Sequence, residues 1–201
     1  MVMIKPRHTA FFVWFYHLFA RLAIKRSFHE VVIQVPVIEN RRSLLVISNH
    51  HSWWDGFWVL NLNRQLFGKQ FHVMMLKSQL EKHKTFAHIG AFSIEKGTRT
   101  VYESLDFAAN LLTNPTNLVL MFPQGRLQSQ HASKIRFERG VQHLLKQDCD
   151  VLMLVFFTDY LQNRKPTLYV YGEWLDNKQE PEMAYNQFYE RCKRTQEGLW
   201  R

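Results

Sequence analysis

The chain has 201 residues, 46% of them hydrophobic and 14% aromatic, and its 26 Lys and Arg outnumber 17 Asp and Glu for a formal net charge of +9. That length and composition support one domain with a sizeable buried core, and exclude a disordered tail or a small disulfide scaffold. A basic, aromatic-rich chain points to an anionic partner, with nucleic acid, a membrane surface and a phosphorylated substrate all open at this level.

The N-terminal region comes first. Lys5 and Arg7 precede an apolar run, AFFVWFY at 10–16. The spacing predicts a helix over 8–26, with Phe11, Trp14, Phe15, Leu18 and Leu22 on one face and His17, Arg21 and Lys25, at steps of four, on another. No stretch reaches the roughly 18 uncharged residues a spanning helix needs. A secretory signal fits poorly, because His17 and Arg21 interrupt the run and no small-residue cleavage site follows. The reading adopted is an amphipathic, membrane-associating helix over 1–28, aromatics in the acyl boundary and cations toward the head groups. Its competitor is an ordinary helix packed on the core.

Residues 29–201 form the main domain. Strands are predicted at 30–38, where Pro36 weakens the middle, and at 43–48, 71–76, 91–95, 117–122, 151–157 and 167–171. Helical patterns follow Asp55 and cover 101–113, 136–146 and 181–198. Strands alternating with helices predict an α/β fold, a mostly parallel sheet flanked by helices. Cys149 and Cys192 are far apart, with no CxxC, so neither a disulfide nor a zinc framework is indicated. Asp148 and Asp150 flank Cys149 and would blunt it as a nucleophile. Both read as ordinary thiols in a reducing compartment.

In such sheets, reactive groups gather at the carboxyl ends of strands. Three polar clusters fall there: Asn49 to Asp55, Lys96 to Arg99, and Phe122 to Arg126. A histidine takes a proton from an alcohol effectively when a carboxylate fixes its tautomer and steadies the imidazolium. Asp55, with four residues between it and His50, is placed to reach back to His50. No Ser, Thr or Cys stands nearby in a nucleophile motif, so the pair suggests direct attack by a substrate hydroxyl. Two other readings remain open. Ser52-x-x-Asp55 is also a capping box, and His50, His51 and Asp55 are potential metal ligands, although no metal motif surrounds them. Lys96, Arg99 and Arg126 are candidate anion clamps, or simply solvated charges.

Taken together, the three clusters resemble the glycerolipid acyltransferase family, which includes the 1-acylglycerol-3-phosphate acyltransferases. Its first block, Asn-His followed by four residues and Asp, corresponds to Asn49-His50-His51-Ser52-Trp53-Trp54-Asp55. Its second corresponds to Gly90-Ala91-Phe92-Ser93-Ile94-Glu95-Lys96, with Lys where Arg is usual. Its third, Phe-Pro-Glu-Gly-Thr-Arg-Ser, corresponds to Phe122-Pro123-Gln124-Gly125-Arg126-Leu127-Gln128. A fourth, apolar block falls at 151–157 without its proline.

The resemblance implies transfer of a fatty acyl group from acyl-CoA or acyl carrier protein to a lipid hydroxyl, with no further cofactor and no metal. His50 is then the general base and Asp55 its partner. Lys96, Arg99, Phe122, Pro123, Gln124, Gly125 and Arg126 would bind the acceptor, and amides around Gly125 are candidate donors to the oxyanion. Gln124 in place of the acid, and an arginine one place early at Arg126, leave room for other acceptors, such as an aminolipid or a carotenoid glycoside, or for a lipid-binding protein with a degenerate site. The implied partners are a membrane lipid acceptor and the membrane surface, at the cytoplasmic face. Nucleic acid is disfavoured because the basic residues are spread along the chain.

Overall fold

Strands covered on both faces read as unbroken apolar runs rather than alternating ones. That describes β2 (Leu44–Ser48) and β5 (Asn117–Met121), where every residue is buried. The computed structural model describes residues 3–37, 42–97, 100–176 and 178–199. Its sheet adds β1 (Glu30–Gln34), β3 (Gln70–Leu76), β4 (Ala91–Ile94), β6 (Asp150–Asp159) and β7 (Thr167–Trp174), in the spatial order β1-β7-β6-β2-β5-β3-β4.

Strands β2 to β6 run parallel, so their carboxyl ends share one edge of the sheet. β7 runs antiparallel to β6, and β1 runs with β7. The reason for the reversal is the short 160–166 connection. A parallel crossover needs about a dozen residues or more, whereas a hairpin does not. The expectation of a mostly parallel α/β sheet flanked by helices therefore holds.

Side chains alternate across the sheet with period two. Leu45, Ile47, Val119, Met121, Val151 and Met153 face one core, completed by α4 (Thr100–Leu111), α5 (Gly140–Leu145) and α6 (Pro181–Gly198). Leu44, Val46, Leu118, Leu120, Leu152 and Leu154 face the other, completed by α1 (Ala10–Ser27), α2 (Asp55–Leu62) and a 3-10 segment at Lys84–Ile89. Residues 4–9 run beside β4. Ile4 exchanges hydrogen bonds with Ser93, and the Arg7 and Thr9 amides donate to the carbonyls of Ala87 and His88. That segment screens an otherwise open sheet edge.

Helix α1 presents three surfaces, where two were expected. Phe12, Val13, Tyr16, Phe19, Ala20 and Ile24 pack on the core. Phe11, Trp14, Phe15, Leu18 and Leu22 point outward, with Trp14 57% exposed. Arg21 and Lys25 are exposed, and His17 is half-buried between these surfaces. Among the described residues, no helix is long and apolar enough to cross a membrane.

Several boundaries differ from expectation. The strand expected over 30–38 stops at Gln34, two residues before Pro36, whose missing N–H cannot serve a ladder; Ile38 lies outside the described residues. Residues 77–89, unassigned in the sequence reading, fold as α3 (Lys77–Lys82) and the 3-10 segment. The helix expected over 136–146 is shorter, Gly140–Leu145. Past α2 the chain widens into a π-helical turn at Asn63–Phe67, closed by left-handed Gly68. Gly90 follows the 3-10 segment at φ 103, and a Cβ there would collide with the Phe71 carbonyl, so this block requires glycine on two grounds. Beside it, buried His72 is kept neutral: burial first, then the neighbouring His8, push its pKa down to about 4.

Candidate active site

The parallel sheet delivers the ends of β2, β4 and β5 to one edge. The chain leaves β2 at Asn49, which is 1% exposed. Its side chain replaces a strand residue: Nδ2 donates to Phe156 O at 3.0 Å, and Phe156 N–H donates to Oδ1 at 2.9 Å. This amide pairing ends the ladder with β6 fully hydrogen-bonded and turns the next residue, His50, toward a cavity. The Asn-His pair had been noted in the sequence; this contact, 107 residues apart, had no local signal.

Asp55 is fully buried. Its Oδ2 accepts from His50 Nδ1 at 2.8 Å, His51 N–H at 2.8 Å and Ser52 N–H at 3.0 Å. One oxygen thus meets both the imidazole of His50 and the loop amides that lead into α2. The capping box is half formed, because Ser52 Oγ accepts from Trp54 N–H instead of the Asp55 amide. A carboxylate only accepts, so His50 Nδ1 carries the hydrogen and Nε2 is left as the ring's acceptor. His50 lines the cavity, and Phe122 lies flat against its ring, centroids 4.0 Å apart and planes 16° from parallel. His51 is turned inward, and burial lowers its pKa, with Asp55 opposing and His50 adding to the shift.

Gln124 is 4% exposed and accepts the His50 backbone N–H at 2.7 Å. Pro123 is buried, and its carbonyl accepts the Glu138 N–H at 2.8 Å. Gly125 takes φ 60, and a Cβ there would collide with Lys96 Nζ. Its own N–H is occupied, donating to Phe122 O at 3.0 Å. That removes the Gly125 amide from the oxyanion donors expected around this turn.

Lys96 reaches the cavity, and its Nζ donates to Glu138 Oε1 at 2.9 Å, so the cation comes with a counter-ion. Arg126 is exposed at the cavity mouth, joined by Arg139. Arg99 lies outside the described residues. Glu138 and Arg139 were missed by sequence reasoning, since nothing in the 129–139 pattern ties them to the motif; Gln128 was named as the end of the third block but given no role.

The cavity measures about 740 Å³ and is predominantly apolar. Phe57, Leu60, Phe71, Val73, Met75 and Phe86 line it away from His50, while Lys96, Glu138, Arg126 and Arg139 line the polar end. Neither cysteine lines it. Burial pushes the Cys149 thiol up, and pushes Cys192 up to about 12, so both are inert. A histidine facing the cavity and backed by a buried carboxylate, between an apolar slot and a charged mouth, is suited to deprotonating a hydroxyl on an amphiphile.

Three comparisons bear on this site. The acyltransferase family model matches residues 30–157, more than half the chain. Among solved structures, 1-acyl-sn-glycerophosphate (LPA) acyltransferase, PlsC, from Thermotoga maritima is similar at a TM-score of 0.58 and 19% identity, over 93% of this chain and 79% of that one. That likeness shows a shared fold. No curated protein matches the sequence.

Proposed function

Since the chain belongs to the acyltransferase family, we propose that it moves a fatty acyl group from an acyl thioester, acyl-CoA or acyl carrier protein, to a hydroxyl of a lyso-glycerophospholipid or a related lipid. The observation that carries this reading is the His50–Asp55 pair at 2.8 Å, opening onto the apolar cavity. His50 Nε2 takes the acceptor's hydroxyl proton as its oxygen attacks the thioester carbonyl. The tetrahedral intermediate collapses, the C–S bond breaks, and the proton on His50 passes to the departing thiolate. Asp55 holds the tautomer that leaves Nε2 basic and steadies the imidazolium between the two steps.

The apolar slot takes an acyl chain, and Lys96, Arg126 and Arg139 hold the anionic part of a substrate at the mouth. Glu138 beside Lys96 favours a second reading of the acceptor. A head group that is neutral or zwitterionic, as in an aminolipid, would suit a cation already paired.

The outward residues of α1 dock the protein on the bilayer that holds the acceptor. Each large side chain buried contributes about 1.5–3 kcal/mol, and cations near anionic lipid add roughly 1 kcal/mol each. The free, buried thiols are consistent with a reducing compartment, hence the cytoplasmic face.

One assay tests both parts: free thiol released from acyl-CoA on vesicles carrying lysophosphatidate or a neutral lyso-lipid. Release that depends on either lyso-lipid supports the reading, and the preferred lipid distinguishes the two acceptors. Replacing Trp14, Phe15 and Leu18 by Ser, all exposed and off the core, should abolish vesicle binding and activity on vesicles. Activity on a short, water-soluble acceptor should persist. Unchanged vesicle binding in that variant contradicts the membrane role of α1.

A further inference from the structure

His50 is gripped from behind by a closed ring of hydrogen bonds. Its N–H donates to Gln124 Oε1 at 2.7 Å, Gln124 Nε2 donates to Gln128 Oε1 at 2.9 Å, and Gln128 N–H donates back to His50 O at 2.8 Å. Both backbone polar groups of His50 are therefore tied to one seven-residue loop, 122–128, whose Phe122 also covers the imidazole face. Gln124 is the member that reaches into the protein, and at 4% exposure it has little access to water.

We propose that Gln124 is a positioning residue for His50: its neutral amide fixes the His50 backbone through this ring of hydrogen bonds without adding a second carboxylate near the imidazole. The proposal rests on the reading of His50 as general base. The amide is matched to its two neighbours. One end must accept from the His50 N–H, and the other must donate to Gln128. Glutamate at 124 would still accept from His50, but it would place a second carboxylate behind a histidine that Asp55 already contacts. A second negative charge near the ring favours the imidazolium, which cannot act as a base. Methionine would fill the volume and leave the His50 N–H unpaired. The titratable and charged groups around His50 are Asp55 and His51 on its own side, and Lys96, Glu138 and Arg126 across the cavity.

The test is steady-state acyl transfer by the full chain across the neutral pH range, with His50→Ala as reference. Gln124→Met should lower kcat by about tenfold, the equivalent of one unpaired N–H, with the KM values for thioester and acceptor unchanged and the acid limb of the pH–rate profile unmoved. Gln124→Glu should retain near-normal kcat at high pH, while its acid limb moves up by about one pH unit. A merely structural role would lower stability in both variants and move neither limb. Wild-type kcat in Gln124→Met, or an unmoved limb in Gln124→Glu, overturns the proposal. If either variant fails to fold, Gln128→Leu breaks the same ring at its exposed side and should lower kcat several-fold at constant KM; an unchanged kcat there overturns the proposal equally. Retained turnover in His50→Ala marks failure of the general-base reading instead, whatever the Gln124 variants do.

Discussion

His50→Ala should lower acyl transfer by about 10²–10⁴-fold, the usual consequence of losing a general base. The ring lies at the surface of the cavity and only its Nδ1 is tied to the interior, so its removal should leave the fold intact. His51→Ala makes the matched control. His51 is adjacent in sequence and also near Asp55, but its ring turns inward, with Nδ1 3.9 Å from Asp55 Oδ1 and 3.3 Å from Asn49 Nδ2. It should reduce the rate far less. Purified variants with matched circular dichroism decide the point. Equal losses at the two positions, or retained turnover in His50→Ala, would rule out the assignment.

Asp55→Asn should also be damaging, by about 10²–10³-fold in kcat, the scale of losing one preorganised electrostatic partner, for a different reason. Asn at 55 still accepts the His51 and Ser52 N–H groups, so the turn that leads into α2 keeps its hydrogen bonds. What changes is the charge. The amide oxygen in the Oδ2 place accepts from all three N–H groups as before, so His50 keeps its hydrogen on Nδ1, but a neutral amide no longer steadies the imidazolium formed when Nε2 takes a proton. The contacts made by Oδ2 and its charge are thereby separated by one substitution. A loss of activity with melting within a few degrees of wild type is expected, as about 1 kcal/mol corresponds to roughly 2–4 °C in a chain of this size. Near-normal turnover would assign Asp55 to holding that turn alone.

The sheet core was legible because its strands are sandwiched. LLVIS, NLVLM and VLMLVFF carry polar residues only at their ends, Ser48 and Asn117, and none inside the run to mistake for a surface, and the residues that follow them mark the reactive edge. The same physics hid other parts. Residues 77–89 mix charges and apolar residues without a clean period, since they line a cavity on one side and meet residues 4–9 on the other. The outward aromatic face of α1 was correctly grouped by helical spacing. Its core face was not, because aromatics fill that side as well, with Phe12, Tyr16 and Phe19 packed inward. In the site, the motif residues were found by order along the chain. What lies between them was not: Asn49 on Phe156, Lys96 on Glu138, and Gln128 on Gln124 and His50 are contacts the fold makes, across strands or around a loop with no regular period. The Lys96–Glu138 pair changes the acceptor question most, because a lysine with a counter-ion is a weaker phosphate clamp than a free one.

The central claim is that the His50–Asp55 site joins an acyl group to a lipid hydroxyl. Its most direct test is mass spectrometry of purified protein incubated with isotope-labelled acyl-CoA and lyso-lipid vesicles. The account predicts the label in a newly esterified lipid, one acyl group for each thiol released, and no such product from His50→Ala. Vesicle binding without any acylated product from acyl-CoA or acyl carrier protein, or label appearing only as free fatty acid, would contradict it.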